Sequence, residues 1–152
     1  TKVIDALVLN ADGSGLATLS DDGHGAVYFI GYGIGSPAAV NEPGWTTEKG
    51  VCVPESAPGI YTMTAQAGLE GSTTLGQRFR VSGWSGKFFR NRGWDGMGTF
   101  TLAPGAGACF SIAGDGNIEI ASGVTLEEGA TYCLTLDVTA GNDKPVLSMV
   151  KK

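Results

Sequence analysis

Apolar and polar residues alternate in several short stretches of the chain, which is the pattern of strands buried on one face. In residues 60–66, Tyr61 and Met63 alternate with threonines. Residues 131–138 alternate in the same way, starting with Tyr132 on the side that we expect to face the core. These two stretches therefore predict long, half-buried strands.

A different pattern marks residues 25–31, where a continuous apolar run lies between glycines and predicts a strand buried on both faces. Residues 3–9 and 15–19, joined by a turn ending in Asp-Gly, predict a hairpin. Shorter apolar runs between turn residues predict further strands at 49–53, 77–81, 99–102, 108–112, 118–121 and 146–150. The whole pattern predicts an all-β, antiparallel β-sandwich of about 9 to 11 strands without an obligatory helix.

The 152-residue length favours one domain with a substantial core. We expect one compact β-sandwich over residues 26–152, preceded by a lead-in hairpin in residues 1–25.

Charge and composition exclude several classes of function. The net charge of −5 argues against a nucleic-acid partner, because phosphate binding needs a dominant basic field. No run approaches the roughly 20 apolar residues of a membrane-spanning helix. The aspartates in turns lack calcium-loop spacing, and the single histidine and the cysteines match no zinc pattern. We therefore expect no metal, no cofactor and no membrane span in this chain.

The three cysteines allow at most one internal disulfide. Strand alternation places Cys109 and Cys133 on faces from which they could be cross-strand neighbours. Three partly buried thiols, with Cys52 as the third, are an equally good interpretation.

Residues 78–100 differ from the rest of the chain, because they contain two of the three tryptophans and five of the ten basic residues but one carboxylate. A sugar ring has an apolar face that aromatic rings cover and hydroxyls that arginine, lysine and amide groups can bind. Glycines flank Trp84 and Trp94 and predict that both lie in loops. The candidate ligand-binding residues are Trp45, Trp84, Lys87, Arg90, Asn91, Arg92, Trp94 and Asp95.

The alternative interpretation of the same stretch is structural. A tryptophan in a β-sandwich is commonly part of the core, and strand arginines such as Arg78 and Arg80 commonly form a solvated face. Alternation within residues 77–81 predicts that these two arginines are exposed.

The order of several short motifs resembles the SusE/SusF-type surface glycan-binding domains, which are outer-membrane lipoproteins of Bacteroidetes polysaccharide-uptake systems. The resemblance spans roughly residues 26–151 and rests on VYFIG at 27–31, GW at 44–45, PGIY at 58–61, QRFRV at 77–81, a following loop tryptophan, GNI at 116–118, GATY at 129–132 and LTLD at 134–137.

The resemblance implies a β-sandwich that binds an oligosaccharide or polysaccharide at the cell surface without cleaving it. It also implies a lipid anchor outside the given chain and, as partners, other outer-membrane proteins of glycan uptake. In that family, loop tryptophans and neighbouring basic or amide groups contact the sugar. These positions correspond here to Trp45, Trp84, Trp94, Lys87, Arg90 and Asn91.

Two other classes of function remain open at this stage. A glycoside hydrolase needs two carboxyl groups about 5 to 9.5 Å apart. Asp95 would therefore need Glu42, Glu48 or Asp115 to approach it from another loop. A structural or protein-interaction domain is the main alternative to sugar binding, since tryptophan, tyrosine and arginine are also enriched at protein interfaces.

Overall fold

The computed structural model describes residues 25–90, 94 and 96–152 of the chain. In this part it contains eleven β-strands and one turn of 3-10 helix, Thr47–Lys49. The strands are β1 Ala26–Tyr32, β2 Ile34–Gly35, β3 Val51–Ala57, β4 Ile60–Ala67, β5 Arg78–Phe79, β6 Ser85–Phe89, β7 Thr101–Leu102, β8 Phe110–Ile112, β9 Ile118–Ile120, β10 Thr131–Asp137 and β11 Val146–Lys151.

The strands join in one sheet with the order β7-β11-β10-β4-β3-β1-β6-β9-β8, and the short β5 pairs with both β2 and β4. Most neighbours are antiparallel, but β4 with β5 and β7 with β11 run parallel. The two ends of the strand order, β7 and β8, approach each other. The sheet therefore curls until it is nearly a closed barrel.

The predicted all-β class is confirmed, whereas the purely antiparallel arrangement of the predicted sandwich is wrong. Our prediction assumed that neighbouring strands run antiparallel. A parallel pair needs a longer crossover. The chain provides one between β4 and β5, where residues 68–77 carry it back to start β5 in the same direction.

The interior is filled by alternate residues of the long strands. On β4, Tyr61 and Met63 are buried as predicted, and on β10 so are Tyr132 and Leu134. Strand β1 is buried at six of its seven positions, so the prediction of a strand covered on both faces is confirmed. Val27 and Phe29 belong to the main core, whereas Ala26 and Tyr28 form a separate small cluster with Cys52.

The largest error in the strand prediction concerns β6. The glycines and serines of residues 82–86 predicted a loop, but Ser85–Phe89 is a strand that pairs with β1 over five residues. Gly31 lies opposite Gly86 in this pair, and a Cβ on Gly31 would lie 2.3 Å from the Ser85 carbonyl oxygen. The glycines thus permit close pairing of two strands.

Other predicted boundaries differ less. Residues 54–57 extend β3 where a turn was predicted, and β5 is only two residues long. The predicted hairpin of residues 3–19 lies outside the described residues, so the division at residue 25 remains a prediction.

The three cysteines all lie in the described part of the chain, and no disulfide joins them. The interpretation with three partly buried thiols is therefore the one that the structure shows.

Candidate functional site

Trp84 lies outside the strands, just before β6, as its flanking glycines predicted, but it is a core residue and not an exposed ligand contact. Its side chain is 3% exposed, and its indole nitrogen donates a hydrogen bond to the backbone oxygen of Arg80 at 2.8 Å. A ring without a solvent-facing surface cannot stack on a sugar. Trp84 is therefore removed from the candidate site.

Aromatic packing explains why this tryptophan is buried. Its ring lies 5.8 Å from that of Phe29 and 5.5 Å from that of Phe110, both in edge-to-face orientation. Gly33 makes room for the indole, because a Cβ there would lie 2.4 Å from the Trp84 ring. Glycines near a tryptophan can thus make space for the ring in the core as readily as they form a loop.

The other two tryptophans form an exposed pair. Trp45 is 41% exposed and Trp94 is 63% exposed. Their ring centroids are 6.4 Å apart and their planes differ by 18°, which is an offset-stacked arrangement. Residues 49 positions apart in the sequence therefore present nearly parallel indole rings on one surface, which we call the Trp45–Trp94 platform.

Strand β6 supports the platform from below. Phe89, at the end of this strand, is buried and packs edge-to-face against Trp94 with centroids 5.4 Å apart. The backbone of Phe89 forms a β-bridge with Gly96. This bridge attaches the chain just after Trp94 to the end of β6. Phe88, the preceding residue, points to the opposite face and packs on Phe29 in the core. The Phe88–Phe89 pair thus places one ring in the core and one under the platform.

The loop that carries Trp45 is fixed by two sets of contacts. Gly44 and Gly31 exchange backbone hydrogen bonds of 2.7 and 3.1 Å, which attach the loop to the end of β1. Two residues earlier, the Glu42 carboxylate accepts hydrogen bonds from the Arg80 guanidinium at 2.8 and 2.7 Å and from the Gly33 backbone N–H at 2.8 Å. Backbone hydrogen bonds at Gly44 and side-chain hydrogen bonds at Glu42 therefore both fix the position of the loop.

Arg80 is not the solvated cation that strand alternation predicted. Two-thirds of its side chain is covered, and its guanidinium also lies over the Tyr32 ring at 5.4 Å. The hydrogen bonds to Glu42 raise the pKa of Arg80 above its ordinary value, against the opposing effect of burial. Arg78 is also half-buried. Arg78 and Arg80 therefore do not belong to an exposed cationic cluster, and Arg80 serves to position the Trp45 loop.

The structure describes two of the five remaining predicted ligand-binding residues, Lys87 and Arg90. Lys87 lies on β6, two residues from Phe89 and on the same face, and its ammonium donates to the backbone oxygen of Asp115 at 2.8 Å. Arg90 follows at the end of this strand and is half-buried. Asn91, Arg92 and Asp95 lie outside the described residues. Lys87 thus lies on the strand that supports the platform, and Arg90 directly follows it.

Two of the three carboxylates considered as catalytic partners, Glu42 and Asp115, are engaged in other contacts. Glu42 is bound to Arg80, and the Asp115 carboxylate accepts from the backbone and side-chain nitrogens of Asn117 at 3.0 and 3.1 Å. Glu48 lies exposed in the 3-10 turn. Among the residues that the structure describes, no group of three histidine, cysteine or acidic side chains could hold a metal ion. No helix within the same residues is long and apolar enough to cross a membrane.

Sequence reasoning missed Glu42 and Phe89 as parts of this site. Phe89 could have been found from its position beside Phe88, because successive residues of a strand point to opposite faces. The role of Glu42 had no local signal, since its partner is 38 residues away.

The fold and the exposed indole pair define an all-β domain with an aromatic surface platform. A family model described as "Domain of unknown function (DUF5121)" matches residues 22–139, which cover β1 to β10 and every described residue of the platform. The chain belongs to this family. No curated protein and no solved structure matches the chain.

Proposed function

We propose that this domain binds carbohydrate without cleaving it, and that the Trp45–Trp94 platform makes the main contact. The observation that carries this proposal is the pair of nearly parallel, exposed indoles, one packed against Phe89 at the end of β6 and the other on a loop hydrogen-bonded to β1. Large exposed aromatic surfaces are unfavourable in water unless a partner covers them. Two offset rings fit the flat, apolar faces of consecutive sugars in a chain.

Polar groups beside the platform complete the expected site. Lys87 on the supporting strand and Arg90 directly after it provide donors for sugar hydroxyls. Asn91, Arg92 and Asp95, which lie between Arg90 and Gly96 in the sequence, are proposed as further contacts. A few stacking and hydrogen-bonding contacts contribute roughly 1 kcal/mol each, so we expect micromolar to millimolar dissociation constants.

The resemblance to SusE/SusF-type domains supports the same function and extends it to a location. On that basis we propose a place at the outer-membrane surface of a bacterium, with other proteins of glycan uptake as partners. Several weak sites on one surface would then bind a polysaccharide with increased avidity.

Affinity gel electrophoresis against a panel of polysaccharides, together with a glycan array, tests this proposal. We expect at least one polysaccharide to retard the protein. Trp45→Ala and Trp94→Ala should each abolish most of the retardation. Val150→Ala is the matched control, because it removes an exposed apolar side chain from β11, four strands from β1 in the sheet order. Its mobility shift should equal that of the unmodified protein.

Three outcomes count against the proposal. If no polysaccharide binds, and a protein partner instead binds in stoichiometric amount through the exposed indoles, the domain is a protein-interaction module. Retention of glycan binding in the double variant Trp45→Ala/Trp94→Ala would place the site elsewhere. Release of reducing ends from a bound glycan, lost on Asp95→Asn, would show a hydrolase.

A further inference from the structure

A cleft of about 290 Å³ opens beside the platform. This volume lies at the lower limit of small-molecule pockets and suits one sugar-sized ring rather than a chain. The cleft is bounded by β6, by the turn between β8 and β9, and by residues 96–100.

Aromatic and apolar side chains form the base of the cleft, and glycines form its rim. Phe89 and Met97 contribute to the base, and both are 5% exposed or less. Gly96 and Gly98 lie on one side and Gly116 on the other. Because glycine has no side chain, a ring can approach the backbone closely at Gly96, where a Cβ would meet open space. At Gly98 a Cβ would instead lie 2.7 Å from the Asp143 backbone oxygen.

Lys87 provides the positive charge of the cleft. Its ammonium has three hydrogens to donate, and one is directed to the backbone oxygen of Asp115. Within the described part of the chain, no carboxylate lies within salt-bridge distance of Lys87. The Asp115 carboxylate is directed to Asn117 instead. Although Asp115 also lines the cleft, an ammonium without a carboxylate partner among the described residues is suited to an anionic ligand.

The turn that bounds the cleft is fixed to β6. The Asn117 side chain donates to the Ser85 hydroxyl at 3.3 Å while it also contacts Asp115. A Cβ on Gly116 would lie 3.4 Å from the Lys87 ammonium. The turn therefore holds the lysine head against the rim, which lowers the entropy cost of ordering it on binding.

The cleft and the platform are continuous. Phe89 lines the cleft and packs against Trp94, and its bridge to Gly96 joins the wall of the cleft to the segment that carries Trp94. A glycan that lies across the two indoles would reach the cleft with its next ring or with a branch.

We propose that this cleft is a second subsite, which receives one sugar ring that carries an anionic substituent, a carboxylate or a sulfate ester, with Lys87 as its charge partner. This inference rests on the proposed glycan-binding function and gives its substrate class: acidic polysaccharides. The net charge of −5 opposes such ligands at long range. At physiological salt the screening length is about 8 Å, so the local cation determines the contact.

The test uses the full chain and three single sugars: galacturonic acid, galactose 6-sulfate and galactose. Amide resonances of Gly96, Gly98 and Gly116 report binding by two-dimensional NMR, which measures millimolar affinities. We expect at least one acidic sugar to bind roughly tenfold more tightly than galactose. The stronger of the two acidic sugars identifies the substituent. Raising the sodium chloride concentration to 0.5 M should weaken the acidic sugar alone.

Variants separate charge from shape. Lys87→Met keeps the aliphatic stem and should reduce the affinity for the acidic sugar to that for galactose, whereas Lys87→Arg should restore most of it. Lys152→Met removes an exposed lysine at the end of β11 and should have no effect. Equal affinity for acidic and neutral sugars, or an unchanged affinity in Lys87→Met, would overturn the inference.

The double variant Trp45→Ala/Trp94→Ala distinguishes the two proposals. It should bind the acidic monosaccharide within about threefold of the unmodified protein while it loses the polysaccharide. Binding of an acidic polysaccharide that is insensitive to Lys87→Met would disprove the acidic subsite and leave the platform. Binding of the acidic monosaccharide by the unmodified protein, if that protein binds no polysaccharide, would disprove the platform and leave the cleft.

Discussion

The contact between Arg80 and Glu42 should be a main determinant of the position of Trp45. Arg80→Met removes the guanidinium and keeps an apolar stem over the Tyr32 ring. The Glu42 carboxylate would then keep the Gly33 N–H but lose two hydrogen bonds and its counter-charge. We expect both a less stable protein and a less ordered Trp45 loop.

The magnitude follows from the burial of the pair. Exposed ion pairs contribute about 0.2 to 1 kcal/mol, whereas breaking a fully buried pair costs about 3 to 5 kcal/mol. The Arg80 side chain is 33% exposed and that of Glu42 is 16% exposed, so the pair lies between these limits. Loss of the cation over Tyr32 adds less than about 1 kcal/mol. We therefore expect Arg80→Met to lower the free energy of unfolding by about 2 kcal/mol.

Urea denaturation measures this change. With a denaturant dependence of about 2 kcal/mol per molar urea, the midpoint should fall by about 1 M. In the double variant Arg80→Met/Glu42→Leu the carboxylate is no longer left without its partner, so part of the loss should be recovered. The four proteins form a double-mutant cycle, for which we expect a coupling energy of about 1 to 2 kcal/mol.

A midpoint shift below about 0.2 M, or additive effects of the two substitutions, would show that the ion pair does not hold the loop. Glycan affinity gives an independent check. If the loop positions Trp45, the affinity of Arg80→Met should fall even at temperatures where the protein is fully folded. An unchanged affinity would refute the positioning role.

Three further predictions concern the core and the thiols. Trp84→Ala should destabilise the fold by about 3 to 5 kcal/mol in urea denaturation, whereas Trp94→Ala should cost less than about 1 kcal/mol; equal effects would contradict their different burial. Gly86→Ala should cost about 1 to 3 kcal/mol or more, because its Cβ would lie 2.3 Å from a core phenylalanine ring, while Gly114→Ala has open space and serves as the control. Burial raises the pKa of the Cys109 thiol, so its alkylation, followed by mass spectrometry, should begin at higher pH in the folded chain than in urea. The shift makes a contribution to the free energy of unfolding. This contribution is fully present below the pKa of the thiol in the unfolded chain and is lost as the pH rises through its pKa in the folded chain.

Sequence periodicity was sufficient for the long strands. The positions of β4 and β10 and their buried faces follow from alternation of side chains, and β1 follows from its continuous apolar run. In each of these strands, the pattern of apolar residues along the sequence follows directly from which side chains are buried.

The same reasoning failed at β6 and at Trp84, for one physical cause. Glycines and serines at 82–86 have low strand propensity and predicted a loop. In the fold, Gly86 permits β6 to pair closely with β1, and Gly33 makes room for the Trp84 ring. Such a role depends on residues distant in sequence, so local propensity cannot reveal it.

The candidate site was predicted as a list of residue types rather than as an arrangement. Trp45 and Trp94 were both chosen, but nothing in the sequence indicated that they stack on each other. The ion pair between Arg80 and Glu42 could not be predicted either, because the two residues are 38 positions apart and only the tertiary structure brings them together.

The central claim is that the two exposed indoles, and not the buried one, contact sugar. Indole N–H resonances of nitrogen-15-labelled protein test it directly, after assignment with Trp84→Phe, Trp45→Phe and Trp94→Phe. Titration with maltohexaose, cellohexaose, xylohexaose and an oligogalacturonate should identify at least one sugar that shifts the Trp45 and Trp94 signals together and leaves Trp84 in place. A sugar that binds while both exposed indole signals stay unchanged would contradict the account.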